Sequence, residues 1–135
     1  MGIFEDLVAM KGAGSVIDSL VPVSHERLAV LRVEDPAMPE QFFVFLRDVG
    51  CGTVGNSSYS IYGGLVEPCE IYSEEDATEF SGIMLFGDDF SGWNAGIVMA
   101  TGRVVEIDSC DMSIEEVAED FRSFITAKIA EIASW

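Results

Sequence analysis

Residues 97–107 read IVMATGRVVEI, in which two short apolar runs flank the dipeptide Thr101-Gly102. Apolar runs of this length that end at turn residues are typical of β-strands. A short loop that contains glycine commonly joins two strands that pair antiparallel. The stretch therefore predicts a hairpin made of Ile97–Ala100 and Val104–Ile107.

The rest of the second half repeats this pattern. Tyr59–Tyr62 and Ile83–Phe86 are further short apolar runs bounded by Gly, Asn, Asp and Ser, which predicts two more strands. Helical patterns precede and follow the strands but do not alternate with them, as a parallel α/β sheet would require. The sequence therefore predicts an α+β fold, an antiparallel sheet of several strands with N- and C-terminal helices packed on it. A short helix is also predicted over residues 70–78.

The first half is predicted to be helical, with its clearest helix over residues 39–49. Pro39 suits the first helical position, because its ring fixes φ and its missing N–H goes unused there. Apolar residues then repeat at helical spacing, and Gly50 supplies the left-handed residue that stops a helix. A shorter helix is predicted after the capping residue Ser24. Residues 1–23 also carry a helical pattern, which two glycines interrupt.

The C-terminal segment predicts a helix over residues 113–133. Ser113 and Glu116 have the spacing of a capping box, and apolar residues follow at helical intervals. Ile114 and Val117 belong to that apolar face and are expected to be buried. The core is expected to include Phe42, Leu46, Phe86, Val105, Phe121 and Ile125.

Net charge limits the classes of function. The chain of 135 residues has 7 Lys and Arg against 24 Asp and Glu, for a net charge of −17. Such a chain repels phosphate backbones and anionic lipid surfaces, so neither a nucleic acid nor a membrane is expected as a partner. The excess is concentrated in the second half, where 15 acids and one base, Arg103, lie between Glu67 and Asp120.

The cysteines and the N-terminus predict a cytoplasmic location. Cys51, Cys69 and Cys110 have no Cys-x-x-Cys spacing, so they indicate neither a disulfide framework nor a zinc module and suit a reducing compartment. Residues 1–6 lack the basic start of a signal peptide, and no apolar run is long enough to span a bilayer. Residues 1–135 are expected to form a single domain.

Two motifs that suggest cofactors stand in the wrong context. Residues 50–55 match G-x-G-x-x-G, but a predicted helix precedes them and a predicted strand follows, the reverse of what a dinucleotide site needs. Residues 88–94 resemble a calcium loop, yet Phe90 or Trp93 falls where an oxygen ligand is required, depending on the register. With His25 as its single histidine, the chain cannot form a two-histidine metal site. No cofactor or metal is expected.

The sequence contains no catalytic constellation, so the protein is not expected to be an enzyme. Glu74, Glu75 and Asp76 could supply paired carboxylates, but nothing fixes their separation or raises one pKa, and a solvated face explains them. Trp93 lies in a predicted turn and is either a core anchor or an exposed contact residue. The candidate partner-binding residues are Asp88, Asp89, Trp93, Glu74, Glu75 and Asp76.

Four stretches together resemble one known family. Residues 38–52 form a proline-led helix that ends in glycines, and residues 59–64 resemble a first strand followed by two glycines. Residues 83–92 and 102–106 resemble a central turn that contains glycine and a hairpin. The combination is similar to the SUKH superfamily, the Smi/Knr-type group that includes regulators of fungal cell-wall assembly and many bacterial immunity proteins. The resemblance leaves residues 1–23 outside it, as an N-terminal helical extension.

The resemblance implies a protein-binding α+β module without catalytic residues. Such modules in bacteria commonly neutralise toxins, many of them nucleases, and a basic nuclease complements a chain of net charge −17. The leading hypothesis is therefore an immunity-type protein for a basic toxin. One alternative is a housekeeping regulatory or scaffold module of the same fold. Another is a small-ligand binder or enzyme that uses the glycine loops, with Cys51 beside His25.

Overall fold

The computed structural model describes residues 3–12 and 14–135, so Met1, Gly2 and Ala13 and any prediction for them lie outside the described residues. Within these ranges the centre is a six-stranded antiparallel sheet, whose strands lie side by side in chain order. The predicted α+β class is confirmed. The helices are α1 (Glu5–Met10), α2 (His25–Glu34), α3 (Glu40–Asp48), α4 (Glu74–Ala77) and α5 (Phe121–Ala133). The strands are β1 (Gly52–Val54), β2 (Tyr59–Val66), β3 (Ile83–Asp88), β4 (Trp93–Val98), β5 (Val104–Asp108) and β6 (Ile114–Ala118).

All four predicted strands are present, as β2 to β5, and each is paired antiparallel with the next. The predicted hairpin joins β4 to β5, and the Val98 amide donates to the Arg103 carbonyl over 2.8 Å across its loop. β4 begins at Trp93, earlier than the predicted Ile97, and ends at Val98. The flanking strands β1 and β6 were not predicted.

The predicted helix over residues 39–49 is confirmed as α3, and its end delivers the chain directly to the sheet. Pro39 is the N-cap of α3 rather than its first residue. At the other end the Gly50 amide donates to the Phe45 carbonyl over 2.8 Å, and Gly50 has a φ of 120°. A Cβ at Gly50 would lie 2.4 Å from the backbone carbon of Val21. Glycine is therefore required at this turn by both the backbone angle and the close approach.

The helical pattern of residues 1–23 produces one short helix, α1, and residues 16–19 form turns instead of helix. Phe4 and Ile17 are nevertheless buried in the main core, so this segment packs with the rest of the fold. Ser24 caps α2 as predicted, because its side chain accepts from the Arg27 amide.

The predicted helix over residues 70–78 is broken into three short pieces. α4 is flanked by 3₁₀ turns at Pro68–Glu70 and Thr78–Phe80. Tyr72 and Phe80 are the buried side chains of this segment, and both pack against the sheet. These two aromatic side chains thus hold both ends of the segment on the sheet.

The predicted capping box at Ser113 and Glu116 is wrong. Residues 114–118 form β6, which pairs with β5, and helix α5 begins only at Phe121 with Asp120 as its N-cap. The predicted burial of Ile114 and Val117 is also wrong, since they are 44% and 36% exposed. A capping box is a local signal, and here the hydrogen bonds to β5 outweigh it.

The sheet separates two apolar clusters. The face that packs against α3 and α5, called the helix face, contributes Phe86, Ala95, Ile97 and Val104 to the larger cluster. The opposite face contributes Ile83, Leu85, Val105 and Ile107, which lie under residues 68–80. All six predicted core residues are buried, with Val105 on the opposite face and the others on the helix side: Phe42, Leu46, Phe86, Val105, Phe121 and Ile125.

Asp120 is expected to set the start of α5. Its carboxylate accepts from the Ser123 amide over 2.8 Å, which holds the pKa of Asp120 below its ordinary value. Asp120→Ala should lower the free energy of unfolding by about 1 kcal/mol, whereas Ser113→Ala should leave it nearly unchanged. Because the folded-state pKa is lowered, this stabilisation is full above the ordinary aspartate pKa and is lost as pH falls through the lowered value. Urea denaturation of both variants at neutral pH and at pH 3 checks this. Equal losses of stability for the two variants at neutral pH, or an equal loss for Asp120→Ala at both pH values, would contradict the prediction.

Candidate functional site

A hollow of about 250 Å³ lies on the helix face at the β6 end of the sheet. It is lined by Asp89, Trp93, Glu106, Glu115 and Lys128, and is called the acidic hollow below. Three of its five lining residues are carboxylates, and one is an aromatic ring. Three strands, a turn and one helix contribute to it, so only the folded chain brings these groups together.

The register of the sheet places the carboxylates next to each other. Gly87 pairs with Ala95, Ala95 with Glu106, and Glu106 with Glu115, which makes one row across four strands. Side chains directly opposite one another on neighbouring strands point to the same face. Since Gly87 and Ala95 carry little or no side chain, a larger side chain can lie over this end of the row.

The Tyr59 side chain lies across this row from β2. A Cβ added at Gly87 would approach the Tyr59 ring to 3.2 Å, so the ring rests on the glycine. Among the described residues, the Tyr59 hydroxyl is a fully buried side-chain polar atom without a hydrogen-bond partner. Burial raises the pKa of Tyr59, and the charges of Glu106 and Asp89 raise it further. The phenol therefore stays protonated beneath the carboxylates of the acidic hollow.

Asp89 and Trp93 are fixed by the turn between β3 and β4. The Asp89 carboxylate oxygen Oδ1 accepts from the amides of Ser91, over 2.9 Å, and of Trp93, over 3.1 Å. The Asp89 amide in turn donates to the Trp93 carbonyl over 3.1 Å. These bonds satisfy the backbone of the turn, as expected for aspartate in such a loop. They also hold the Asp89 carboxylate beside the half-buried Trp93 ring.

Lys128 is the single cation that lines the acidic hollow. It rises from α5, and its side chain is 20% exposed. Its Nζ lies 3.7 Å from a Glu131 carboxylate oxygen and 5.5 Å and 5.7 Å from the ring centroids of Tyr59 and Phe124. Ammonium groups are attracted to aromatic faces at such distances. The environment that holds Lys128 is thus one of carboxylates and aromatic rings.

The pKa of Glu106 reflects its surroundings in the acidic hollow. Partial burial raises the pKa of its carboxyl group, Lys128 opposes the rise, and Asp89, Glu115 and Glu131 add to it. A raised carboxyl pKa means that the charged form is disfavoured where it stands. Independently of this pKa, the lining has three carboxylates against one ammonium group, so its formal charge is net negative and a second cation there would be stabilised.

The structure brings together only two of the six predicted partner-binding residues. Asp89 and Trp93 both line the acidic hollow. Asp88 belongs to the opposite face, because its carboxylate accepts from the Tyr62 hydroxyl over 2.7 Å, and Tyr62 packs with the apolar cluster there. Alternation along a strand sends adjacent side chains to opposite faces, which explains the separation of Asp88 from Asp89. Trp93 is half-buried, so it lies between the two predicted alternatives of core anchor and exposed contact.

The three acids of α4 are remote from the acidic hollow. Glu74, Glu75 and Asp76 form the first turn of this four-residue helix, which belongs to the segment on the opposite face. Glu74 and Glu75 are exposed and Asp76 is half-buried. They keep the appearance of a solvated face that the sequence suggested.

Glu106, Glu115 and Lys128 were not predicted as site residues. Glu106 had one signal, since it interrupts the apolar run of β5 with a charge. Glu115 and Lys128 had none, because both lie within residues 113–133, which were predicted to form one helix. The contact between Glu106 and Glu115 depends on the pairing of β5 with β6, which was not predicted.

A second acidic groove lies near α2 and the end of β2. It has a volume of about 680 Å³, and its charged lining residues are Arg27, Glu34, Asp35, Glu67 and Glu70. Burial raises the pKa of Asp35, and neighbouring glutamates raise it further. Arg27 already approaches Glu34 to 3.5 Å. This groove lacks the tryptophan of the acidic hollow, so it is the weaker candidate.

The glycine motif, the possible metal ligands and Cys51 were the features of the sequence that suggested a cofactor or catalysis. Residues 50–55 run from the end of α3 into β1, so the glycines do not lead into a helix N-terminus. Within the described part of the chain, no group of three or more His, Cys, Asp or Glu is arranged to hold a metal ion. Cys51 is half-buried, and its Sγ lies 3.8 Å from the Val21 carbonyl oxygen.

Comparison with known proteins gives no relative from which a function could be transferred to this chain. No protein-family model, curated protein sequence or solved structure matches the chain. In residues 3–12 and 14–135, no helix has both the length and the apolar character needed to cross a membrane.

Proposed function

We propose that this protein is a non-catalytic binding module whose acidic hollow receives a basic protein, and that this partner is a toxin, such as a nuclease, which the module neutralises. The observation that carries the proposal is that three carboxylates and an indole ring line one hollow with a single lysine: Asp89, Glu106, Glu115, Trp93 and Lys128. The resemblance to the SUKH superfamily, with its bacterial immunity proteins, supports the toxin as the kind of partner.

Carboxylates beside aromatic rings suit a lysine or arginine side chain. A guanidinium group can bond to a carboxylate through two parallel hydrogen bonds and can stack on an indole ring. The position of Lys128 between Glu131 and the rings of Tyr59 and Phe124 is an example of the same chemistry within the chain. The half-buried Trp93 ring offers a further aromatic surface at the opening.

The net charge of −17 extends the effect of the acidic hollow over a longer range. A strongly negative protein attracts a positive one and raises the rate of their encounter. A nuclease needs a cationic surface to bind the phosphates of its nucleic-acid substrate. A module that covers this surface with carboxylates excludes nucleic acid from it, so inhibition requires no catalytic residue in the module.

Capture of partners from the cells that produce the protein tests the proposal. The parent chain should enrich a basic protein, and Asp89→Asn with Glu115→Lys, which keeps the oxygen of the Asp89 turn, should abolish its capture. Glu74→Gln with Glu75→Lys changes the net charge by the same amount on the opposite face, and this matched control should retain the partner. Mass spectrometry of the bound proteins provides the readout.

Three outcomes would contradict parts of the proposal. Equal loss of capture in the control variant would show that net charge, and not the acidic hollow, is recognised. A specifically bound partner that is acidic would overturn the binding proposal. A basic partner whose toxic activity the purified module leaves unchanged would overturn the immunity role and leave the binding site intact.

A further inference from the structure

β6 is an open edge of the sheet. It is the last strand in the order, and the side chains of its first four residues are exposed. The other edge is the three-residue β1, beside which Cys51 bridges to Val21. An edge strand presents a row of backbone donors and acceptors that another strand can pair with. β6 is thus an edge at which the sheet can be extended.

The direction of the free backbone groups follows from the ladder. The Asp108 amide donates to the Ser113 carbonyl over 3.0 Å, and bonded pairs alternate along antiparallel strands. Ser113 and Glu115 therefore direct their backbone groups toward β5, and Ile114 and Glu116 direct theirs to the open side. Outside the β5–β6 ladder, no hydrogen bond between described residues involves the backbone of residues 114–117.

Charge decides which strand fits this edge. Two copies of this chain paired through β6 would bring Glu115 and Glu116 of each strand against those of the other, and like charges across a pair destabilise it. On the opposite face Glu116 already approaches Arg103, with 3.2 Å between Oε2 and Nη1. Glu115 lines the acidic hollow, where the negative charge is not neutralised. The edge thus favours a strand with a basic side chain next to Glu115.

We infer that a basic segment of the partner pairs antiparallel with β6 as a further strand, with a lysine or arginine opposite Glu115 at the mouth of the acidic hollow. This inference rests on the proposed function and specifies how the partner is held. The residue opposite Glu115 falls in a pair without hydrogen bonds, where the two side chains come closest. The row of Gly87, Ala95, Glu106 and Glu115 then continues onto the partner.

A synthetic peptide tests the inference on the intact protein. The probe is a capped nine-residue peptide in which lysine alternates with threonine or valine, because such a strand can place every lysine on the helix face. Its threonine and valine amides would then donate to β6, and its lysine amides would point away. Methylation of the threonine and valine amides should weaken binding about tenfold or more, since several hydrogen bonds are lost. The matched peptide with methylated lysine amides should bind within about threefold of the parent peptide, since its methyl groups lie on the outer side.

A variant of the edge gives the same test from the protein side. Ile114→Pro removes an amide that faces the open side, a position at which an edge strand tolerates proline. It should weaken the binding of the unmethylated peptide about tenfold. Ile114→Thr keeps the amide and should bind the peptide as the parent does. Thermal unfolding shows whether both variants fold, and the methylated peptides test the parent protein in any case.

The outcomes separate this inference from the proposed function. If both methylated peptides bind equally well, or the unmethylated peptide does not bind the parent, strand addition is overturned. The proposed function still stands in that case if Asp89→Asn with Glu115→Lys abolishes capture of the cellular partner. If that pair of substitutions leaves capture unchanged, the proposed function fails, whatever the peptides show.

Discussion

Phe121→Ala is expected to lower the free energy of unfolding by about 3–5 kcal/mol, the range for truncation of a buried phenylalanine. Phe121 is 1% exposed and is the first residue of α5, where it meets the N-terminal segment, α3 and β3. The alanine would leave a cavity bordered by rigid rings, and these rings cannot collapse into it easily. The ring centroids around Phe121 lie 5.0 to 6.3 Å away, in Phe4, Phe42, Phe45 and Phe86.

Val33→Ala is the control for this prediction, because it also removes apolar atoms from a helix. Val33 is 81% exposed on α2, so its loss should change the free energy of unfolding by less than about 0.5 kcal/mol. Urea denaturation with a common slope for parent and variants measures both changes. A loss below about 1.5 kcal/mol for Phe121→Ala would contradict the placement of Phe121 at the centre of the core.

Phe121 also shows why most of the fold could be predicted from the sequence. The helical spacing of apolar residues from Phe121 onward is a property of the segment itself, so the buried face of α5 was predicted although its start was not. The same holds for α3, where Pro39 and Gly50 mark the two ends. Patterns of this kind need no knowledge of what the segment packs against.

β6 was missed for the opposite reason. Its residues carry a capping box and two apolar positions at helical spacing, which are local signals for a helix. What makes it a strand is the pairing of Ile114 with Ile107 and of Glu115 with Glu106, and pairing across strands is not visible in local spacing. Tertiary context overrides propensity most readily in short segments such as this one.

The residues of the candidate site divide in the same way, into those marked by a local pattern and those brought together by strand pairing. Asp89 and Trp93 were found because a turn sequence marks them, while Glu106 and Glu115 meet only through the register of β5 with β6. Asp88 was predicted together with Asp89, yet the period of two along a strand places it on the opposite face. A sequence therefore shows which residues are acidic, and the register decides which acids act together.

Association with the basic partner, once captured, is expected to slow about tenfold or more as salt rises from about 50 to 500 mM. The Debye length falls below about 5 Å over this range, so the long-range attraction of a chain with net charge −17 is screened. Stopped-flow mixing or surface-based kinetics measure the rate. An association rate that does not change with salt would contradict electrostatic steering.

Asp88 and Asp89 provide a matched pair for the same experiment, because they are adjacent in sequence and lie on opposite faces. Asp89→Asn with Glu115→Gln should slow association severalfold, since rim charges act mainly on encounter. Asp88→Asn with Glu75→Gln removes the same number of charges from the opposite face and should have little effect, because neither carboxylate lines the acidic hollow. Asparagine retains the oxygen that the Asp89 turn requires, so the turn should keep its shape.

Trp93→Ala should act on the dissociation rate. A half-buried ring at the mouth of the acidic hollow provides a short-range contact that forms only after encounter, so its loss should speed dissociation about tenfold or more and leave association nearly unchanged. Comparison of Trp93→Ala with Asp89→Asn and Glu115→Gln therefore separates the contact that holds the partner from the charges that attract it. If Trp93→Ala changed neither rate, the partner would not touch the acidic hollow.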